Sequence, residues 1–127
     1  MICGIGIDLV EIARLETLLA RWSKRFLERV YTPEEIAAAE GRADRAVRLA
    51  ARFAAKEALA KALGTGVDGN FSWKDFAVRN QADGCPQPVL SARLAERLKG
   101  VKIHLSLSHT EQYAVAVVVL EKSGTYE

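Results

Sequence analysis

The chain lacks several features that would point to common chemistries. Its 127 residues include two cysteines, Cys3 and Cys85, far apart and without a CxxC or a His/Cys cluster. That spacing argues against structural zinc and suits a reducing compartment, with Cys3 expected as a small buried apolar residue. No run of about 18 apolar residues occurs, so no transmembrane helix is expected. No cationic stretch precedes the first apolar run, and Asp8 interrupts that run early, so it does not read as a signal peptide. A cytoplasmic location with no membrane partner is the expectation. GxxxxGK[ST] is absent, which excludes an ordinary P-loop, and Ile5-Gly6-Ile7-Asp8 is not a GxGxxG. The formal net charge of +2 is too small to argue for nucleic acid.

What is present is charge placed unevenly. Arg42, Arg45, Arg48, Arg52, Lys56 and Lys61 face only Asp44 and Glu57 in their stretch. Arg14, Arg21, Lys24, Arg25 and Arg29 face only Glu16 and Glu28. Two basic patches fit an anionic ligand, an acidic partner or both, or simply two solvated helix faces. Half the residues are hydrophobic and 27% are charged, and the length suits one domain, residues 1–127, with a core of its own.

Local patterns give the elements. Ile2–Asp8 reads as a glycine-containing strand open to close approach by another backbone or a ligand. Helical spacing runs from about Val10 to Trp22, with a short helical piece around Arg25–Val30. Thr32-Pro33-Glu34-Glu35 is a helix start, with Thr at the cap and Glu35 placed for a capping box; that helix ends near Gly41. A long helix from about Asp44 to Leu63 stops at Gly64-Thr65-Gly66. A strand at Trp73–Arg79, a turn at Asp83–Pro86, a strand at Gln87–Leu90 and a helix at Ser91–Lys99 follow. Val101–Ser108 and Tyr113–Leu120 close the chain as a hairpin. The last strand is almost wholly apolar, as if covered on both faces, by the core and by a subunit neighbour. The fold class is α+β, an antiparallel sheet packed against a long central helix.

Three segments hold polar groups that packing does not ask for. Asp8 ends an apolar strand, where it either caps the next helix or serves a site. On the long helix, Arg52 and Lys56 point nearly the same way as Leu59 and Leu63, although unpaired charge beside an apolar stripe is costly. Arg45, Arg48 and Arg52 also extend this row into the N-terminal half, where the helix dipole disfavours cations and a bound anion would help. Glu57 and Lys61 are spaced for a surface ion pair. Leu105-Ser106-Leu107-Ser108-His109-Thr110 gathers hydroxyls and an imidazole at a strand end, either as a polar turn or as phosphate contacts. A serine-hydrolase reading fails, because there is no GxSxG elbow and neighbouring Ser108 and His109 on extended backbone point apart. Together the groups suit Mg²⁺ on two carboxylates with phosphate oxygens and water, hence phosphoryl-type transfer.

Gly4-Ile5-Gly6-Ile7-Asp8-Leu9-Val10-Glu11-Ile12, Arg52-Phe53-Ala54-Ala55-Lys56-Glu57-Ala58-Leu59-Ala60-Lys61-Ala62 and Leu105-Ser106-Leu107-Ser108-His109-Thr110 resemble the three motifs of the bacterial holo-[acyl-carrier-protein] synthases, in that family's order and spacing. The resemblance implies a 4′-phosphopantetheinyl transferase-like fold. It also implies Mg²⁺-dependent transfer of 4′-phosphopantetheine from coenzyme A to a serine of apo acyl carrier protein, with release of adenosine 3′,5′-bisphosphate. By position, it implies that Asp8 and Glu57 hold the metal and that Lys61 neutralises phosphate or assists the leaving group. Arg52, Ser108, His109 and Thr110 would contact coenzyme A, Gly84 and Pro86 would lie near the adenine, and Lys56 and Lys61 beside the phosphates. Lys56 has a second possibility, pairing with a buried acid. Arg14, Arg21 and Arg25 would dock the acidic carrier protein. The family is trimeric, with sites between subunits. The general base is open between Glu57 and a water on the metal. Larger relatives carry a second carboxylate where Val10 stands here, so Asp8, Glu57, pyrophosphate and water are the expected metal set. Two rival readings are a non-catalytic module for an acidic carrier protein or RNA, and a different Mg²⁺ phosphotransferase acting on a small nucleotide.

Overall fold

The helix Arg45–Leu63 organises the molecule, and a computed structural model describes the protein over residues 1–64 and 71–123. The order is β1 (Ile2–Glu11), α1 (Ile12–Val30), α2 (Pro33–Ala39), α3 (Arg45–Leu63), a 3₁₀ turn (Trp73–Asp75), β2 (Phe76–Asn80), β3 (Pro86–Leu90), α4 (Ala92–Arg97), β4 (Val101–His109) and β5 (Tyr113–Lys122). An antiparallel three-stranded sheet has the order β1-β5-β4, and β2 and β3 form a separate antiparallel pair. The class is α+β as expected.

One face of the larger sheet lies on α3. Ala116, Val118 and Leu120 of β5 point into it and are buried with Ala54, Ala55, Ala58 and Leu59 of the helix. Alanines on α3 bring sheet and helix close, and fully burying a residue such as Leu59 contributes about 2 kcal/mol. Gly4 and Gly6 of β1 complete the fit. A Cβ on Gly6 would run into the Ala58 carbonyl and one on Gly4 into that of Ala62. The close approach foreseen for these glycines is therefore made by the α3 backbone. α1 and α2 cover the other flank of α3, where Leu15, Leu49 and Tyr31 are buried together.

Several boundaries differ from the expectations. β1 continues past Asp8 to Glu11, because Leu9, Val10 and Glu11 find partners in Val115, Ala114 and Tyr113. α1 spans both helical pieces, with a break at Ser23, whose φ of 30° is left-handed. The segment expected as a strand from Trp73 begins instead with the 3₁₀ turn, held by Ser72 and Asp75 capping one another. Cys3 is exposed rather than buried, since it lies where the β1 register shifts. The Thr32/Glu35 capping box is formed, and Gly64 closes α3 in the left-handed conformation. Thr65 and Gly66, the rest of that stop signal, lie outside the described residues.

Candidate active site

The strand–helix contact at the glycines places the acids. Asp8 follows Gly6 on the α3 side of β1 and does not cap α1, whose cap residue is Glu11. Its Oδ1 receives Lys61 Nζ at 3.1 Å, and the same ammonium donates to the Ile7 carbonyl at 2.9 Å. Lys61 therefore reaches across to β1 instead of pairing with Glu57 one turn back. Asp8 and Glu57 line one cleft of about 500 Å³ with Arg14, Phe53 and Tyr113. Burial and then the nearby Asp8 carboxylate push Glu57 above its ordinary value, with Lys61 pulling the other way. Among the described residues no three or more His, Cys, Asp or Glu side chains converge on a metal position. Two carboxylates whose charges oppose each other suit a hard divalent cation that takes its other oxygens from substrate and water.

A second hollow, of about 270 Å³, lies where the N-terminal half of α3 meets the end of β4. Arg48, Arg52, Asn80, Gly84, Ser108 and His109 line it. Gly84 has φ 88° in the turn joining β2 to β3, a conformation that favours glycine. Arg52 is 3% exposed, yet among the described residues its Nε has no partner and its guanidinium reaches only the Arg48 carbonyl, at 3.4 Å. An unpaired buried donor on a guanidinium marks a place for an anion. Arg48, in contrast, is held by Asp44 at the start of the helix, Nε to Oδ2 3.1 Å. This acid answers part of the conflict between the cationic row and the helix dipole.

One of the expected contacts lies elsewhere, and two other residues have local structural roles. Lys56, read as lying beside phosphate, is wholly buried and bonded to Glu35 Oε1 at 2.9 Å, to the Trp73 carbonyl at 2.9 Å and to the Phe76 carbonyl. Its helical angle turns it into the core, so the buried-acid alternative holds and the phosphate assignment is corrected. Thr110 spends its hydroxyl oxygen on the amides of Gln112 and Tyr113, shaping the β4–β5 turn. Pro86 opens β3 opposite Asn80 and is not among the residues lining the hollow. Of the docking arginines, Arg14 faces the Asp8–Glu57 cleft. Arg25 lines a separate hollow with Trp22 and Phe26, and Arg21 lies over the Trp22 ring at 5.7 Å.

The sequence profile of the 4′-phosphopantetheinyl transferase superfamily matches residues 4–118. A curated holo-[acyl-carrier-protein] synthase of Koribacter versatilis is 50% identical over 124 residues, covering 95% of this chain and 99% of its own. The chain belongs to the holo-[acyl-carrier-protein] synthases, and it is an enzyme. Two solved synthases share its fold. That of Neisseria meningitidis superposes with a TM-score of 0.89 at 38% identity, over 96% of this chain and 100% of its own. That of Bacillus anthracis, described in complex with CoA (3′,5′-ADP), gives 0.83 at 42% identity, over 97% and 99%.

Within this synthase fold the sequence reading missed Glu35, seen there only as a capping residue, and Asn80, Phe53 and Tyr113 as lining groups. A Ser/Thr-x-x-Glu pattern reports a helix start, but nothing local says that the same carboxylate will neutralise a lysine on another helix.

Proposed function

We propose that the chain transfers 4′-phosphopantetheine from coenzyme A to a serine hydroxyl of apo acyl carrier protein, releasing adenosine 3′,5′-bisphosphate. The observation that carries this reading is the meeting of Asp8 and Glu57 in one cleft, with Lys61 bonded to Asp8. Asp8 and Glu57 are the residues that would hold Mg²⁺, which when bound neutralises charge on the pyrophosphate. The serine oxygen forms a bond to the phosphorus, and the bond from that phosphorus to the bridging oxygen breaks. The electron pair leaves on the nucleotide. Lys61, with a half-exposed ammonium, is the chain's cation for that developing charge, and Glu57 is its own group for taking the serine proton. Arg52, Ser108, His109 and the Gly84 turn take the nucleotide end of the donor.

The carboxylate cleft and the Arg52 hollow share no lining residue. On the sheet face away from α3, Ile5, Ile7 and Leu9 stand 63%, 59% and 61% exposed beside Val115, Val117 and Val119. Both features support a homotrimer in which other copies of this chain cover that face and sites are completed between subunits. The cytoplasm is its proposed location. No helix among the described residues is long and apolar enough to cross a membrane.

Intact-protein mass spectrometry tests the reaction. The purified chain with Mg²⁺, coenzyme A and apo carrier protein should add one phosphopantetheine per carrier. Absence of that gain, with a known synthase active in parallel, overturns the proposal. Glu57→Gln should abolish the gain while leaving the fold intact. Arg14→Glu with Arg21→Glu should weaken carrier binding far more than coenzyme A binding. A non-catalytic carrier or RNA module would use the arginines and leave the two acids without a task.

A further inference from the structure

Beside the donor hollow is a buried cluster with more positive than negative charge. Lys56 and Arg52 are 0% and 3% exposed, and the acid between them, Glu35, is 2% exposed. Tyr31, whose ring lies 5.8 Å from the Lys56 ammonium, stays neutral, because burial and then Glu35 hold its pKa well above the ordinary value. One carboxylate therefore serves two cations.

Geometry decides which cation it serves. Glu35 Oε1 accepts from the Thr32 amide at 3.1 Å and from Lys56 Nζ at 2.9 Å, while Oε2 accepts from the Val78 amide at 2.9 Å. Both oxygens are thus engaged by groups other than Arg52. The same three bonds join the start of α2, the middle of α3 and the centre of β2. Val78 stands two residues before Asn80. The chain then turns back through Gln81, whose amide donates to the Cys85 carbonyl at 2.8 Å and whose carbonyl accepts from the Gly84 amide at 2.8 Å. Asn80 and Gly84 form one wall of the hollow and Arg52 another. Glu35 ties the centre of the strand behind the first wall to the helix that bears the second, and Lys56 adds a bond to the start of that strand at the Phe76 carbonyl.

Resting on the coenzyme A reading above, we propose that Glu35 is a positioning residue for the donor hollow. It fixes β2 and the turn beyond it relative to Arg52, and by being occupied elsewhere it keeps the Arg52 guanidinium open for an anionic group of the donor. A role through charge alone has the opposite sign, because removing a negative charge near an anion site strengthens anion binding.

The deciding variant is Glu35→Gln combined with Lys56→Met, which removes one charge of each sign and leaves the balance of the cluster unchanged. Circular dichroism reports whether it is folded. In the folded variant the KM for coenzyme A should rise roughly tenfold, with kcat and the KM for carrier protein within about twofold. Calorimetric titration with coenzyme A should show the same loss. A coenzyme A KM within about twofold of the unaltered chain overturns the proposal. So does a rise shared equally by both substrates, which is what general loosening produces. If the double variant does not fold, Glu35→Asp serves, since it keeps the charge and shortens the reach by one methylene. It should raise the coenzyme A KM by about threefold with the same split, and no change overturns the proposal. If the unaltered chain itself fails to bind coenzyme A, the coenzyme A reading falls and takes this inference with it. Binding by the unaltered chain without any effect of Glu35→Asp overturns this inference alone.

Discussion

Two lysines of the same helix make ion pairs of nearly equal length in opposite surroundings. Lys56 meets Glu35 at 2.9 Å with side chains 0% and 1% exposed. Lys61 meets Asp8 at 3.1 Å with side chains 53% and 17% exposed. In the buried pair the charges have no water to turn to, and each carbonyl and amide around them is committed. The exposed pair forms in screened surroundings, where such a contact contributes little to stability. A contact this weak can be given up without loss to the fold, as the proposed site requires of Asp8 and Lys61. Equal distance therefore says little about role, and the alternatives open to each charge say more. A third pair, Asp75 with Arg93, is close to the second in exposure, at 11% and 56%.

Removing one member of the buried pair should have the largest effect. Lys56→Ala removes the ammonium bonded to Glu35 and to the Trp73 and Phe76 carbonyls in the core, and urea unfolding should show a loss of about 3–5 kcal/mol. Lys61→Ala should invert the pattern. Its unfolding free energy should stay within about 1 kcal/mol of the unaltered chain, while the transfer rate falls about 100- to 1000-fold for loss of a preorganised charge. Similar stability losses in both variants would dissolve the distinction. Gly6→Ala comes next. Its methyl group meets the Ala58 carbonyl, which belongs to a packed helix and cannot yield, so about 1–3 kcal/mol should be lost. The transfer rate should fall with it, because Asp8 moves with the strand.

The smallest effect is a pH signature of the Asp75–Arg93 pair. Burial pushes the Asp75 carboxyl up, but the Ser72 amide, Arg93 and Ser91 outweigh it and bring the pKa from 3.8 to about 2. A folded value below the unfolded one stabilises the fold above the unfolded value, and the gain is lost as pH falls through the folded value. The stability deficit of Asp75→Asn at neutral pH should therefore narrow as the pH drops from about 4 toward about 2 in acid unfolding curves.

The contrast between the lysines also marks how far the sequence could be read. Helix ends were legible where the signal is local: the Thr32 cap, Pro33 and Glu35 begin α2, and Gly64 ends α3. The length of β1 was not, because residues 9–11 become strand only by pairing with β5, which lies a hundred positions away in the chain. The 3₁₀ turn was overlooked although Ser72 and Asp75 have capping-box spacing. At the site, spacing along α3 displayed the charged row but could not sort it. Whether Lys56 or Lys61 turns into the core depends on what stands opposite, and Glu35 and Asp8 come from other elements. Cys3 was misjudged because composition cannot tell which face of a strand remains open.

β1 has one further consequence. Its residues alternate between two surfaces: Gly4, Gly6 and Asp8 turn toward α3, and Ile5, Ile7 and Leu9 turn outward. The thickness of a single backbone separates the Asp8 carboxylate from the outer side. Pressure on Ile7 or Leu9 is pressure on Asp8, with no intervening layer to absorb it. The strand is like a drumhead: a load on its outer surface would bear directly on the spacing of the acids beneath.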